Sequence, residues 1–281
     1  MNASLRILQI TNRIPFPLND GGTIATYNVT YYLNASGHKV TLASLNTNKH
    51  HQDPAVLKDI ASVYTTDIDT TVTAAGLLRG IFSDLPYNIK RFDSPAFKNL
   101  LTHIVSNNTF DIIQIEGSYM ALYISVLRKH SNASIVLRSH NIEHEIWERM
   151  ALHESNRLKS WYFGMLSKKI KRFEDSTMHA FDAVVAITDR DADYYRRHHF
   201  KGTLEVINAG ADLSKWIPDH THIEKNTICF LAGLDWMPNQ QGLDWFLNQI
   251  WPELKKRFPP LQLHIAGKAM PPHYLQLNDP S

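Results

Sequence analysis

The sequence predicts an open α/β fold, in which a doubly wound parallel sheet is covered by helices on both faces. Short β-type runs alternate with longer amphipathic stretches over most of the chain, and this alternation is typical of parallel sheets built from βαβ units. Hydrophobic residues make up 43% of the 281 residues and charged residues 20%, which is the composition of a globular protein. The rhythm breaks over 214–226 and then restarts, which predicts a second α/β unit.

The first part of the main domain is predicted from compact apolar runs separated by helix-like spacing. LRILQIT is such a run, Ile24, Tyr27 and Tyr31 recur near helical spacing, and Gly37 follows where a C-cap glycine belongs. In chain order the predicted elements are a strand at 5–11, a helix at 23–36, strands at 38–44 and 62–68, a mobile loop with short helices at 69–94, and a helix at 95–106.

The second part of the main domain repeats the same pattern. In chain order we predict a strand at 111–117, a helix at 118–130, a strand at 134–141, a helical region at 142–180 broken near 153–156, a strand at 182–188, a helix at 189–198 and a strand at 204–207. The main domain is expected to span 1–213, followed by a linker at 214–226.

The last unit, 227–281, is expected to be the first βαβ portion of a second domain. ICFLAG (228–233) and LQLHIAG (261–267) read as strands, with a helix from Asn239 to about Arg257 between them. The chain that follows is too short to close another doubly wound domain, so we expect an incomplete unit and a truncated chain.

Composition excludes several classes of protein. A formal net charge of +2 does not favour a nucleic-acid partner, and no apolar run reaches the roughly 18 residues of a membrane span. Cys229 is the single cysteine, so no internal disulfide forms, and its apolar strand places it in the core. We expect a cytoplasmic location by default.

Polar or small residues follow the predicted strands, and parallel strands bring them to one edge of the sheet. Ligands of open α/β sheets bind beyond the carboxyl ends of the strands. The candidates are Asp20, Gly21 and Gly22 after the first strand, Glu116 after the strand at 111, His140 and Asn141 after the strand at 134, and Asn208 and Gly210 after the strand at 204.

The loop IPFPLNDGG (14–22) is the most unusual of these connections. A Gly-Gly pair before a helix that Asp20 or Thr23 could cap would form an anion site. Asn-Asp-Gly-Gly is equally ordinary turn chemistry, and that alternative stays open. The loop matches neither G-x-G-x-x-G nor the P-loop pattern.

Two further stretches admit more than one interpretation. His140 and His144 in HNIEHE are four apart, as metal ligands on a helix would be, but HExxH is absent and we expect no metal. A hydrogen bond from His140 to a substrate is favoured instead. RLKSWYFGMLSKKIKRFED (157–175) combines an apolar stripe with basic flanks; packing on the sheet is favoured over contact with an anionic membrane.

Five segments together resemble a known family. They are LQITNRIPFPLNDGGTIATYNVTYYLNASGHKVTLAS, FDIIQIEGSYMA, IVLRSHNIEHEIWERMA, FDAVVAITDRDADYY with VINAGADLSKW, and ICFLAGLDWMPNQQGLDWFLNQIWPELKKRFPPLQLHIAG. In this order they resemble the family-4 glycosyltransferases of the GT-B fold, many of which build bacterial surface polysaccharides. The resemblance implies two Rossmann-like domains, the first for the acceptor and the second for the nucleotide.

The resemblance implies retaining transfer of a sugar from a nucleotide donor to a glycan or lipid-linked acceptor, with no cofactor and no metal. His140 matches the residue expected near the transferred sugar, and Glu116 beside it is the second catalytic candidate. The remaining candidates are expected to bind donor or acceptor: Asp20, Gly21, Gly22, Asn141, Asn208, Gly210, Gly233 and Asn239.

The sequence also departs from the family pattern. Ala209 and Ala211 stand where Gly and Val are usual, and the basic residue for the diphosphate and the later Glu pair have no counterpart. We therefore expect little or no transfer by these 281 residues. The alternatives are a non-catalytic module that binds a glycan or a partner, and a sugar-nucleotide epimerase of similar fold. Peripheral membrane contact and self-association through the second unit are further expectations.

Overall fold

The computed structural model describes residues 3–210, 217, 219–221 and 223–277. The chain divides into two compact units, Met1–Gly210 and Ala211–Ser281. The linker predicted at 214–226 lies in part outside the described residues.

The first unit contains a seven-stranded parallel sheet with helices between the strands. Its strands are β1 (Arg6–Thr11), β2 (Lys39–Thr47), β3 (Ser62–Ile68), β4 (Ile112–Glu116), β5 (Ser134–Ser139), β6 (Ala183–Ala186) and β7 (Thr203–Val206). Their order across the sheet is β3-β2-β1-β4-β5-β6-β7, and each pair of neighbours is parallel. The predicted doubly wound α/β fold is confirmed.

The helices of the first unit follow the predicted alternation. They are α1 (Gly21–Ala35), α2 (Ala74–Phe82), α3 (Tyr87–Lys90), α4 (Pro95–Asn107), α5 (Ile124–His130), α6 (Glu143–His153), α7 (Arg157–Met178) and α8 (Asp189–Arg197). The short helices α2 and α3 lie within the predicted loop at 69–94. The break predicted near 153–156 separates α6 from α7, and the Asn156 side chain caps α7 by accepting from the amides of Leu158 and Lys159.

The two faces of the sheet differ in chemistry because successive side chains of a strand point to opposite faces. On one face, Leu8, Ile113 and Ile135 pack in an apolar core with Phe97 and Leu101 of α4.

The other face carries polar side chains under α1. Thr30 Oγ1 donates to Gln9 Oε1 over 2.8 Å, and Thr26 Oγ1 lies 3.5 Å from Glu116 Oε2. The buried face of α1 is therefore made of threonines rather than aliphatic residues.

Several element boundaries differ from the sequence prediction. β2 runs on to Thr47, because Leu45, Asn46 and Thr47 remain paired with β3. The predicted helix at 118–130 begins as a 3₁₀ turn over Ser118–Tyr123, after Gly117 turns the chain with φ of +81°. β5 ends at Ser139, so His140 and Asn141 lie beyond the strand.

The second unit pairs two parallel strands around a small core. Its elements are β8 (Thr227–Leu231), α9 (Met237–Trp245), a π-helical turn (Phe246–Ile250), α10 (Trp251–Arg257), β9 (Gln262–Ala266) and α11 (Pro272–Leu275). The predicted single helix at 239–257 is thus interrupted by the π-helical turn. Leu234, Leu243 and Tyr274 form the core. Cys229, which we expected in the core, is exposed in the described structure.

Candidate active site

The strand order creates a switch point between β1 and β4. From β1 the chain proceeds through β2 and β3 in one direction, whereas β4 to β7 proceed in the other. Connections on the two sides of such a point leave in opposite directions and open a crevice at the carboxyl edge of the sheet. The segments that follow β1, β4 and β5 meet this edge, and each contains candidate residues from the sequence.

His140 and Glu116 are brought together at this edge. His140 Nε2 lies 2.6 Å from Glu116 Oε2, although the residues are 24 apart in sequence. The glutamate is buried at the end of β4, and the His140 side chain is 18% exposed. No described residue makes a hydrogen bond with His140 Nδ1. The pair therefore presents one ring nitrogen to the carboxylate and leaves the other for a ligand.

The Glu116 carboxylate is held ionised by polar neighbours in the sheet. Gln114 Nε2 donates to Oε1, and the buried Arg138 guanidinium lies 3.9 Å from Oε2 across the β4–β5 pairing. Burial raises the pKa of the carboxyl, but the hydrogen bond and charge of His140, the charge of Arg138 and the hydrogen bond from Gln114 outweigh it and lower the pKa. An ionised carboxylate only accepts hydrogen bonds, so Nε2 of His140 is the donor.

The start of α1 lies after β1 at the same edge. The structure assigns the N-cap to Asp20 rather than Thr23, since Asp20 Oδ1 accepts from the Thr23 amide over 3.0 Å. Gly21 and Gly22 belong to the first turn of α1, contrary to the prediction that the helix begins at residue 23, and both are exposed. Added Cβ atoms would meet nothing within 4 Å at Gly21 and make ordinary contacts at Gly22. Neither glycine is needed for packing, so space above the helix start is what they provide.

Arg13 was missed by the sequence interpretation. Its Nη2 lies 2.8 and 2.9 Å from the two carboxylate oxygens of Asp20, and 3.6 Å from the position of a Cβ on Gly22. The guanidinium therefore stands beside the start of α1. The sequence feature that could have indicated its role is that Arg13 is the one arginine in the short connection that also contains Asp20, the acid that caps the helix.

The HNIEHE run separates into three pairs with different partners. His140 binds Glu116, His144 Nδ1 lies 2.7 Å from Glu174 Oε2, and Glu145 pairs with Arg190. Glu174 on α7 also accepts from the backbone amides of residues 143 and 144, so it satisfies the first turn of α6. In the parts of the chain that the structure describes, no three His, Cys, Asp or Glu side chains could hold a metal ion.

A second carboxyl group lies close to His140. The Glu143 side chain is hydrogen-bonded to Tyr119 and Asn141. Trp147 Nε1 donates to the Tyr119 hydroxyl over 3.4 Å. Burial, and then the neighbouring carboxylate of Glu174, raise the pKa of Glu143 to about 7. Glu143 was not among the sequence candidates; its place three residues after the histidine that follows β5 was the available signal.

The remaining candidates follow β7 in the first unit or belong to the second unit. Asn208 is exposed and donates from Nδ2 to the Ile187 carbonyl over 2.9 Å. Gly210 is exposed at the end of the first unit. In the second unit, Asn239 Nδ2 donates to the carbonyl of Gly233 over 2.9 Å, which closes the turn after β8.

The fold and the site together define a Rossmann-like α/β protein with polar side chains at the carboxyl edge of its sheet, beside the switch point. The chain matches the family model described as Glycosyltransferase Family 4 over residues 19–215. This match covers well over half of the chain, and it spans the sheet from α1 through β7. The chain belongs to this family.

Relatives and solved structures extend the comparison. The chain is 24% identical over 286 residues to an uncharacterised 44.6 kDa protein in the cps region of Klebsiella pneumoniae, covering 94% of this chain and 65% of that protein. Sucrose-phosphate synthase from Thermosynechococcus elongatus matches with a TM-score of 0.62 at 13% identity, over 95% of this chain and 63% of that one.

A further solved structure supports the fold. The catalytic domain of starch synthase IV from Arabidopsis thaliana, bound to ADP and acarbose, matches with a TM-score of 0.51 at 9% identity, over 94% of this chain and 74% of that one. At these identities the likeness shows the fold alone. The chain spans about two thirds of the length of the Klebsiella relative. In the described parts of the chain, no helix is long and apolar enough to cross a membrane.

Proposed function

We propose that this protein transfers a sugar, with retention of its anomeric configuration, from a nucleotide donor to a glycan or lipid-linked acceptor in surface-polysaccharide biosynthesis. The family match over residues 19–215 carries the proposal. The Klebsiella relative in the cps region supports the pathway. Two sugar-transfer enzymes of similar fold, one of them bound to ADP, support a nucleotide-sugar donor.

His140 is the proposed contact with the transferred sugar. Its Nε2–H is committed to the Glu116 carboxylate over 2.6 Å, so Nδ1 is the ring atom that remains for a sugar hydroxyl. Glu116 acts through His140 by fixing the orientation and tautomer of the ring, which makes it a positioning residue.

The first turn of α1 is the proposed anion site for the donor diphosphate or an acidic acceptor. The exposed Gly21 and Gly22 lie at the positive end of a 15-residue helix, with the Arg13 guanidinium beside them. In the transfer, the bond from the anomeric carbon to the diphosphate breaks while a bond to an acceptor hydroxyl forms. Positive groups near the departing oxygens lower that barrier.

The other candidates are proposed for binding rather than for chemistry. Asn141 lies beside Glu143 at the edge of the first unit, and Asn208 and Gly210 follow β7. Gly233 and Asn239 are proposed for the nucleotide, in the second unit. We propose that transfer needs no metal, so it would persist in the presence of EDTA.

The proposal is tested by incubating the full-length protein with a panel of sugar nucleotides and a lipid-linked or oligosaccharide acceptor. We expect one donor to release nucleoside diphosphate in an acceptor-dependent way and to give a product with the anomeric configuration of the donor. No release with any donor would contradict transfer and favour a non-catalytic binding module. Conversion of the donor to an epimeric sugar nucleotide without acceptor would favour an epimerase.

A further inference from the structure

The outer face of α7 carries a stripe that the proposed transfer site does not use. Arg157, Trp161, Lys168 and Arg172 recur at spacings of 4, 7 and 4, so they share one side of the helix. All four are exposed, and Trp161 is 58% exposed. The packed side of α7 carries Leu166, Ile170 and Met178 instead. The structure agrees with the predicted packing of this helix, in which one face is buried and the basic face is exposed.

Helix α2 lies beside this stripe and is held there by one lysine. Lys169 Nζ donates to the carbonyls of Gly80, Ile81 and Ser83 over 2.8, 2.7 and 2.6 Å, at the C-terminal end of α2. A cation at this end of a helix also complements its dipole. α2 is thereby fixed against α7.

The fixed helix presents apolar side chains outward. Leu78 and Phe82 are one turn apart on α2 and are 62% and 88% exposed. Leu158 at the start of α7 is 80% exposed. Leu78, Phe82, Leu158, Trp161, Arg157, Lys168 and Arg172 together constitute what we call the α2–α7 surface.

The charges of the α2–α7 surface are free to meet an external partner. No described residue forms an ion pair with the side chains of Arg157, Lys168 or Arg172. The neighbouring acid on the same side of α7, Asp175, is paired with Lys171 over 3.1 Å. Exposed apolar side chains together with unpaired cations complement a surface that is anionic outside and apolar beneath.

We propose that the α2–α7 surface docks the protein on an anionic phospholipid bilayer. Trp161, Leu78, Phe82 and Leu158 enter the interface, where indole and aliphatic groups lose contact with water. Arg157, Lys168 and Arg172 bind lipid phosphates. The docking concerns the first unit alone and does not depend on the proposed transfer, since binding is measured without donor or acceptor.

Sedimentation with vesicles tests the proposal. We expect the protein to pellet with vesicles of phosphatidylcholine and phosphatidylglycerol, to bind less at high salt, and to stay in solution with phosphatidylcholine alone. Lys168→Gln with Arg172→Gln should weaken binding about 30-fold, on the basis of the contribution of one cation near an anionic surface. The charge-matched control is Lys129→Gln with Lys201→Gln, two exposed lysines on other elements.

Apolar variants complete the test. Phe82→Ser should weaken binding about 10-fold, whereas Val56→Ser, at an exposed position far along the chain from α2, should not. Thermal melting shows that each variant is folded. Equal binding to both vesicle types, or an equal loss in the control variants, would overturn the proposal. Dimerisation of the chain through the α2–α7 surface in solution, without binding to vesicles, would also overturn the proposal.

Discussion

Replacing Glu143 by Gln tests the electrostatics beside His140. The carboxyl group of Glu143 has its pKa raised from 4.5 to about 7, first by burial and then by Glu174. A carboxyl group whose pKa is higher in the folded chain than in the unfolded chain binds its proton more tightly in the folded chain. The folded chain therefore holds one more proton than the unfolded chain between pH 4.5 and pH 7.

The magnitude follows from linkage. Each pH unit in this window lowers the free energy of unfolding of the native protein by about 1.4 kcal/mol relative to a variant without the carboxyl. A pKa difference of about 2.5 corresponds to about 3 kcal/mol over the whole window. Glu143→Gln should therefore gain stability relative to the native chain as the pH rises from 4.5 to 7, and the gain should stay constant at higher pH.

Urea unfolding of both proteins at half-unit pH steps measures this difference. Subtracting the two curves cancels the titrating groups that are remote from Glu143, because both proteins contain them. Glu148→Gln, at an exposed position on the same helix, controls for the loss of one charge from α6. A difference curve for Glu143→Gln that is flat from pH 4.5 to pH 7, or that slopes the other way, would refute the reasoning.

Three further outcomes are expected. Lys169→Met should lower the free energy of local opening of α2 by roughly 2 kcal/mol, because the C-terminal end of α2 loses its hydrogen bonds to the ammonium group. Amide hydrogen exchange in α2 should therefore become faster, whereas Lys168→Met should leave it unchanged. Gly22→Ala should keep or raise the melting temperature, since its Cβ has room, while raising the Kd for the sugar nucleotide measured by calorimetry. Asp20→Ala should reduce the free energy of urea unfolding by about 1 kcal/mol, through loss of the N-cap and the Arg13 pair.

The strands could be predicted because buried parallel strands read as compact apolar runs. Strand ends were predicted wrongly where polar residues stay in register: Asn46, of a residue type depleted in strands, continues β2 and is followed by Thr47. Gly117 marks the opposite case, since a glycine with positive φ ended the strand and led into a 3₁₀ turn instead of an α-helix. Local sequence therefore predicts the middle of a strand or helix more accurately than its ends.

The location of the site was predictable, but its pairings were not. Topology alone places Glu116 and His140 at one edge. Sequence does not show that His144 would meet Glu174, a residue 30 positions away on another helix. The residues that contact Glu116 were more predictable, because Gln114 and Arg138 are polar residues within apolar strands, at positions that face α1.

Turnover of a His140 variant tests the central claim most directly. Nucleoside diphosphate release with the active donor is compared between the native protein, His140→Ala and His153→Ala, the last being an exposed histidine at the end of α6. We predict that kcat falls about 100-fold in His140→Ala and that His153→Ala keeps native turnover. His140→Ala should still fold, with a lowered melting temperature because the buried Glu116 carboxylate loses a hydrogen-bond partner. A folded His140→Ala protein with undiminished kcat would contradict the assignment of His140 and Glu116 to sugar transfer.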